Sequence, residues 1–342
     1  MRIIGSILPF TFLLTLTVSA QYKFETWTTE QGLPYKAVNS VLQTRDGYVW
    51  AATGDGLARF DGVKFTVFNT ANTNGLLTNR LKFLAETTDG SVWTSGEENG
   101  LFRYKNGEFS SFSIENDSPN GKILSLHADK TENRLLILTE KGLNVWQNEK
   151  FTRENLPVSI KPYFALLDNT GVLCVKENGI VSRFAPGGIS EYKLPEDLPE
   201  SLLTMFYEAS DGAVWIGTFY RNEPRKATLY TFKNGEISFY DDKNLPAAFI
   251  NQVLEDRKGN IWLAIGSHGK GGLSRFENGK IRAYGKDEGF SGGGVTTLLE
   301  DREGGIWAAT VDSGLTRFGE KLIRSFTREK NGLSTDNIYP LY

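Results

Sequence analysis

One cysteine, two histidines and two methionines in 342 residues leave several common chemistries with almost nothing to work with. Cys174 has no partner for an intrachain disulfide, and its setting, Gly171-Val172-Leu173-Cys174-Val175, is that of a small hydrophobe on a strand. His127 and His268 are far apart and lack the companion spacing of a zinc site, and no nucleophile elbow, phosphate loop or calcium loop is present. The sequence therefore offers no catalytic constellation, no metal site and no cofactor. Charge of one sign is also missing: 38 basic against 41 acidic residues give a formal charge of −3 and no polybasic run, which removes the electrostatic reason to expect nucleic acid. Apart from Ile7 to Val18, which is too short to cross a bilayer, there is no long hydrophobic run and so no expected membrane span.

That one apolar run has a different meaning. Met1-Arg2 places a positive charge before it and Val18-Ser19-Ala20 follows with small residues, the pattern of a cleavable signal peptide over residues 1–20. A periplasmic or extracellular location is expected. No cysteine stands at the cleavage point to carry a lipid.

What the chain does have is repetition. Asp46-Gly47-Tyr48-Val49-Trp50, Asp89-Gly90-Ser91-Val92-Trp93 and Asp211-Gly212-Ala213-Val214-Trp215 are full copies of one motif, with looser copies ending at Trp262 and Trp307. Six or seven residues beyond the tryptophan comes Gly-Leu and an aromatic, as in Gly56-Leu57-Ala58-Arg59-Phe60, with Gly272-Leu273 ten residues after Trp262 and the counterpart Thr228-Leu229 thirteen after Trp215; this second mark recovers two copies with Leu136 and Leu173 in place of tryptophan. The seven anchors are spaced 43, 43, 37, 42, 47 and 45 residues apart, a propeller period without the 3.6-residue patterning of helical arrays.

Inside one unit, Val38 to Gln43, Tyr48 to Ala52, a run through Phe60, and Lys64 to Phe68 read as four short strands separated by Gly-bearing turns, with primed two-residue turns expected at sites such as Asp46-Gly47. Four antiparallel strands make a blade, so the fold class is all-β: a seven-bladed propeller over residues 21–330. First strands are expected near Val38, Leu81, Ile123, Tyr163, Leu203, Val253 and Val295. The tryptophans belong between blades, and the motif aspartates Asp46, Asp89, Asp211, Asp256 and Asp301 read as turn formers instead of a carboxylate ring. Loop acids such as Asp55, Glu97, Glu98 and Asp312 are candidates for approaching a central tunnel.

Trp27-Thr28-Thr29-Glu30-Gln31-Gly32-Leu33-Pro34, then Asn39-Ser40-Val41, Asp-Gly-x-Val-Trp and Gly-Leu-x-Arg-Phe-Asp-Gly, resemble the two-component regulator propeller family, and the pattern recurs to the end of the chain. The resemblance implies a periplasmic sensor region of a larger protein, commonly sensing carbohydrates, with a kinase or other output activity and any dimer contact supplied downstream. It carries over no fixed binding residues. Blades three and four depart from it by lacking tryptophan in the motif.

Residues 322 to 338 repeat the opening segment, so residues 331–342 read as the start of a further repeat or as a ring-closing strand, with Phe24 and its neighbours as the alternative closure. A propeller enzyme of lyase or lactonase type competes with the sensor reading, but two histidines suit it poorly; a protein-binding scaffold is third. For a small-molecule or oligosaccharide ligand, the enlarged loops after Trp215 and Trp262 are the expected site: Phe219, Tyr220, Arg221, Arg225 and Lys226 on one side, His268 and Lys270 on the other. Aromatic faces beside cations suit an acidic saccharide.

Overall fold

The computed structural model describes residues 22–98, 100–112, 121–129, 131–154, 165–168, 171–175, 180–185, 188–193, 203–219, 227–233, 236–240, 245, 249–267 and 270–320. Residues 24–319 form one compact unit, and residues 1–23 with 320–342 a second, of which only 22, 23 and 320 are described.

The strands fall into seven four-stranded antiparallel sheets. Their first strands begin at Val38, Leu81, Ile123, Ala165, Leu203, Ile250 and Val295, which number blades 1 to 7 and lie within three residues of expectation. Each first strand contacts the first strand of the next blade, and that of blade 7 (Val295–Glu300) contacts that of blade 1 (Val38–Gln43), so the blades close into a ring. Among the described residues the helical turns are two short 3-10 segments, Thr29–Gln31 and Lys286–Glu288.

The turns between first and second strands differ from the expected primed type. Thr44 N–H donates to Tyr48 C=O and Gly47 N–H to Thr44 C=O, so three residues lie inside the closing pair. Gly47 alone is left-handed, at φ +95°, while Asp46 keeps a negative φ. This is a type I turn ending in a left-handed glycine, favoured because the aspartate carboxylate caps it from within: Asp89 Oδ1 accepts Ser91 N–H and Asp211 Oδ1 accepts Ala213 N–H. Paired left-handed residues occur instead between third and fourth strands, at Asn106-Gly107 and Asn278-Gly279.

Tryptophan lies on the second strand and fills the gap to the following blade. Trp307 shares a core with Val41, Ala51 and Phe60 of blade 1, Trp50 with Leu81 and Phe102 of blade 2, and Trp215 with Ile250 and Leu263 of blade 6. Burying such a side chain is worth about 1.5–3 kcal/mol or more. Blade 3 has Leu136 at the motif position; its Trp146 stands where other third strands carry Phe60, Tyr104, Phe276 or Phe318, and it packs back on Trp93 of blade 2, edge-on at 5.3 Å. The motif arginine is the cross-strand neighbour of the tryptophan in four blades, Arg59 to Trp50, Arg103 to Trp93, Arg275 to Trp262 and Arg317 to Trp307. Its guanidinium lies over the indole at 5.5–5.9 Å, a cation–π contact.

Each indole N–H must also find an acceptor once buried, and the blades solve this in two ways. In blades 1 and 2 a threonine six positions earlier accepts it, Thr44 at 3.2 Å and Thr87 at 3.1 Å, and passes its own hydroxyl hydrogen to Asp46 or Asp89. In blades 6 and 7 the aspartate itself stands six positions earlier, so Asp256 and Asp301 accept the indole directly at 2.9 and 2.8 Å. The five motif aspartates thus hold two different structural posts. Blade 5 has Ala209 at that position, and Trp215 Nε1 is left without a partner.

The strand Tyr22–Trp27 is outermost in the last sheet, beside Leu315–Glu320. Phe24 stacks on Phe318 at 5.2 Å and Trp27 on Trp307 at 5.1 Å, so the chain's opening strand completes blade 7. Residues 331–342 and the segment 1–20 lie outside the described residues.

Candidate functional site

The antiparallel order sends the first-to-second turns to one end of the ring. The second-to-third turns and the connections between blades share the other. Gly56 N–H of a second-to-third turn donates to Asn79 C=O at 2.7 Å, and Gly314 N–H to Lys36 C=O at 2.9 Å, so these turns hold the segments that lead into the next blade.

The first of these ends is stitched together by side chains from the last residue of the first strand in four blades. Glu86 accepts the Arg45 N–H, Glu255 the Ser210 N–H, Glu300 the Arg257 N–H and Gln43 the Arg302 N–H, each bond crossing from one blade to its neighbour. Arginine one residue into the turn adds a second tie, with Arg45 Nη1 donating to Thr88 C=O at 2.8 Å and Arg302 Nη2 to Thr44 C=O at 2.9 Å. A cavity of about 550 Å³ opens here between blades 1, 2 and 3, with Leu42, Leu84 and Leu126 on its walls beside Glu86, His127 and Asp129. Burial pushes the Glu86 carboxyl above its ordinary range, against the opposing pull of the Arg45 N–H. Burial acts the same way on Asp129, but the Thr131 and Glu132 N–H groups, the Thr131 hydroxyl and Arg134 override it and hold that carboxyl low. Both carboxylates are engaged in holding turns and blades, which leaves the leucines as the cavity's uncommitted surface.

The opposite end carries the expected ligand loops. In blade 6 the second and third strands, Ile261–Ser267 and Lys270–Glu277, stay paired as far as Ser267 with Lys270, whereas in blade 1 the corresponding ladder ends at Thr53 with Gly56. In blade 5 the ladder ends at Phe219 with Ala227. Only blade 5 therefore has an enlarged connection, residues 220–226; in blade 6 the added residues lengthen the paired strands and leave a connection of two residues, as in blade 1, and the two open at the same end of adjacent blades. Phe219 and Lys270 are placed by their backbone as strand ends; Tyr220, Arg221, Arg225, Lys226 and His268 lie outside the described residues.

The loop acids do not converge. Asp55 accepts from the Asn79 side chain, Asp312 from Gly293 N–H and the Ser313 hydroxyl, and Glu97 stands 3.9 Å from Arg80 with both side chains largely in solvent. Among the described residues no group of three or more histidine, cysteine or acidic side chains could hold a metal ion. No described helix is long and apolar enough to cross a membrane.

Seven four-stranded antiparallel blades in a closed ring define a β-propeller. The profile of the two component regulator propeller family matches residues 289–312. No curated protein sequence matches the chain. Among solved structures, the extracellular domain of the putative hybrid two component system BT3049 from B. thetaiotaomicron superposes with a TM-score of 0.67 at 19% identity, covering 87% of this chain and 42% of that one. The extracellular domain of the putative one component system BT4673 from B. thetaiotaomicron gives 0.65 at 18% identity, over 86% and 39%. YCF48 from Cyanidioschyzon merolae gives 0.63 at 14% identity, over 87% and 99%. At these identities the likeness is one of fold. The chain spans about two fifths of the length of the two B. thetaiotaomicron structures.

Proposed function

We propose that this propeller is the ligand-sensing part of an exported two-component signalling protein, which recognises a carbohydrate or another small extracellular ligand and relays binding to an output region. The observation that carries the reading is one coincidence: the regulator-propeller repeat occurs on the fold seen in the extracellular domains of two bacterial signalling systems. The positive start, short apolar run and small-residue site at residues 1–20 support export to the periplasm or beyond. Ligand contact falls to the second-to-third connections of blades 5 and 6, where Phe219 and Tyr220 offer ring faces to sugars and Arg221, Arg225, Lys226, His268 and Lys270 offer donors.

The test is calorimetry of the purified exported protein against neutral and acidic oligosaccharides, followed by the double variant Tyr220→Ala, Arg221→Ala. Binding that the double variant loses by ten-fold or more, with its circular dichroism unchanged, is the expected result. A folded wild type that binds no saccharide or other small ligand in the panel would sink the sensor reading. Unchanged affinity in the double variant would remove this patch alone.

A further inference from the structure

The second-to-third turns of blades 1 and 3 are built alike. Thr53 Oγ1 donates to Gly56 C=O at 2.8 Å and accepts Asp55 N–H at 3.2 Å; Thr139 Oγ1 donates to Gly142 C=O at 3.0 Å and accepts Lys141 N–H at 3.2 Å. The residue directly after the second strand is nevertheless Gly54 in blade 1 and Glu140 in blade 3, with Glu97 and Val311 at that post in blades 2 and 7. Gly54 is not one of the left-handed glycines, so the backbone of this turn does not require a glycine there.

What requires it is Tyr35, in the segment that leads into blade 1. A Cβ on Gly54 would stand 3.1 Å from Cδ1 and 3.3 Å from Cε1 of the Tyr35 ring, closer than side chains ordinarily pack, so the ring lies directly on the bare backbone of the turn. Seated in this way, Tyr35 is still 43% exposed. Asp55 is the next residue, its Cα about 3.8 Å from that of Gly54. Its side chain is also held in place: Asn79 Nδ2 donates to Asp55 Oδ1 at 3.0 Å, while Asn79 Oδ1 accepts Thr70 N–H at 2.8 Å. Asp55 remains exposed, so the oriented carboxylate keeps lone pairs for a donor arriving from solution. A seated aromatic ring and a fixed carboxylate thus share one patch at the end of the ring where the second-to-third turns lie.

We infer that Tyr35 and Asp55 form a subsite for one neutral sugar unit of the ligand, with the ring stacking on the C–H face of a pyranose and the carboxylate accepting from its hydroxyls. A sugar ring has an apolar face and a polar edge, and this patch offers a partner to each. Charge sets the selectivity, because Asp55 repels a carboxylate or a sulfate. The assignment rests on the sensor reading and adds to it a contact on blade 1, at the same end of the ring as the second-to-third connections of blades 5 and 6.

The experiment starts from an array of neutral oligosaccharides built from glucose, galactose, mannose and xylose, beside acidic ones, and measures every saccharide that binds by calorimetry. The proteins are the wild type, Tyr35→Ala, Tyr35→Trp, Gly54→Ala and Asp55→Ala. Tyr35→Ala removes the stacking face and should weaken binding of a neutral saccharide about ten-fold or more, whereas Tyr35→Trp should stay within a few-fold of wild type. Gly54→Ala touches no ligand but lifts the ring from its seat; it should weaken binding several-fold with the melting temperature unchanged, since the same turn carries a side chain in blade 3. Asp55→Ala should also lose several-fold, and with Gly54→Ala it tests the assignment should Tyr35→Ala fail to fold. Neutral saccharides bound equally well by wild type, Tyr35→Ala and Asp55→Ala would overturn the subsite and leave the sensor reading standing. A Tyr35→Ala protein that melts lower with unchanged affinity would show the ring to be a structural cover for the turn, and a Tyr35→Trp as weak as Tyr35→Ala would overturn the stacking. Binding of acidic saccharides alone would overturn the assignment but support the sensor reading; a folded wild type that binds no saccharide on the array would overturn the subsite and count against the sensor reading as well.

Discussion

Replacing Asp301 by alanine should cost this propeller about 3 kcal/mol, within the range for breaking a buried ion pair. The Asp301 side chain is 2% exposed and takes three donors: Arg317 Nε at 2.6 Å, Gly305 N–H at 2.7 Å and Trp307 Nε1 at 2.8 Å. Alanine leaves two N–H groups without an acceptor, each worth about 1–3 kcal/mol when fully buried. It also leaves the Arg317 charge unpaired, but that side chain is 33% exposed and water recovers part of the loss. Asp256→Ala is the companion variant, because Asp256 accepts Trp262 Nε1, the Lys258 and Asn260 N–H groups and the Asn260 side-chain amide. That variant should lose about 2 kcal/mol or more. Urea unfolding followed by tryptophan fluorescence measures both, provided the slope is unchanged. A loss below about 1 kcal/mol for Asp301→Ala would refute the account. The pH dependence is a second readout. Burial works to raise the Asp301 carboxyl, but Arg317, the Gly305 N–H and the Trp307 indole hold it below its ordinary range. Its contribution is therefore present above the unfolded carboxyl value of about 3.9 and is lost as pH falls below that towards the depressed folded value. Asp301→Ala should remove that part of the acid sensitivity.

Three further outcomes are expected. Ala209→Thr should stabilise the fold by about 1 kcal/mol, because a threonine hydroxyl there would accept the orphan Trp215 indole N–H as Thr44 and Thr87 do in blades 1 and 2; a lower melting temperature would show that blade 5 lacks the room. Glu86→Gln should be neutral or raise stability at pH 7 by less than about 1 kcal/mol, since the raised folded-state carboxyl costs stability at neutral pH and regains it as pH falls through the raised value. Gln43 already fills the same post in blade 1, accepting the Arg302 N–H, and an Asp- or Glu-specific loss above about 1 kcal/mol in denaturant titration would contradict this. Gly314→Ala should cost about 2 kcal/mol or more, because φ is +81° and the added Cβ would collide with the Trp27 carbonyl oxygen; a near-neutral melting shift would mean the opening strand can move aside.

Periodicity and turn chemistry are local properties, and they settled the blade plan before any coordinates. A tryptophan every forty-odd residues with Asp-Gly before it and Gly-Leu after it specifies strand, turn, strand, because each turn needs its glycine within a few residues of where the chain reverses. The type of the first turn was not legible: Asp46-Gly47 suits a primed turn by composition, and only the Thr44 to Tyr48 closing pair decides for a longer one. The ties that close the ring join residues about 45 or about 258 positions apart, as Arg45 to Glu86 and Arg302 to Gln43 do, and no window of sequence contains both partners. The added residues of blades 5 and 6 could be counted from the sequence, but only the ladder ends show that in blade 6 they lengthen the strands and not the connection. The sequence alone determined how many blades there are and where each begins; tertiary packing decided which charges are paired, because pairing depends on neighbours brought together only when the ring closes.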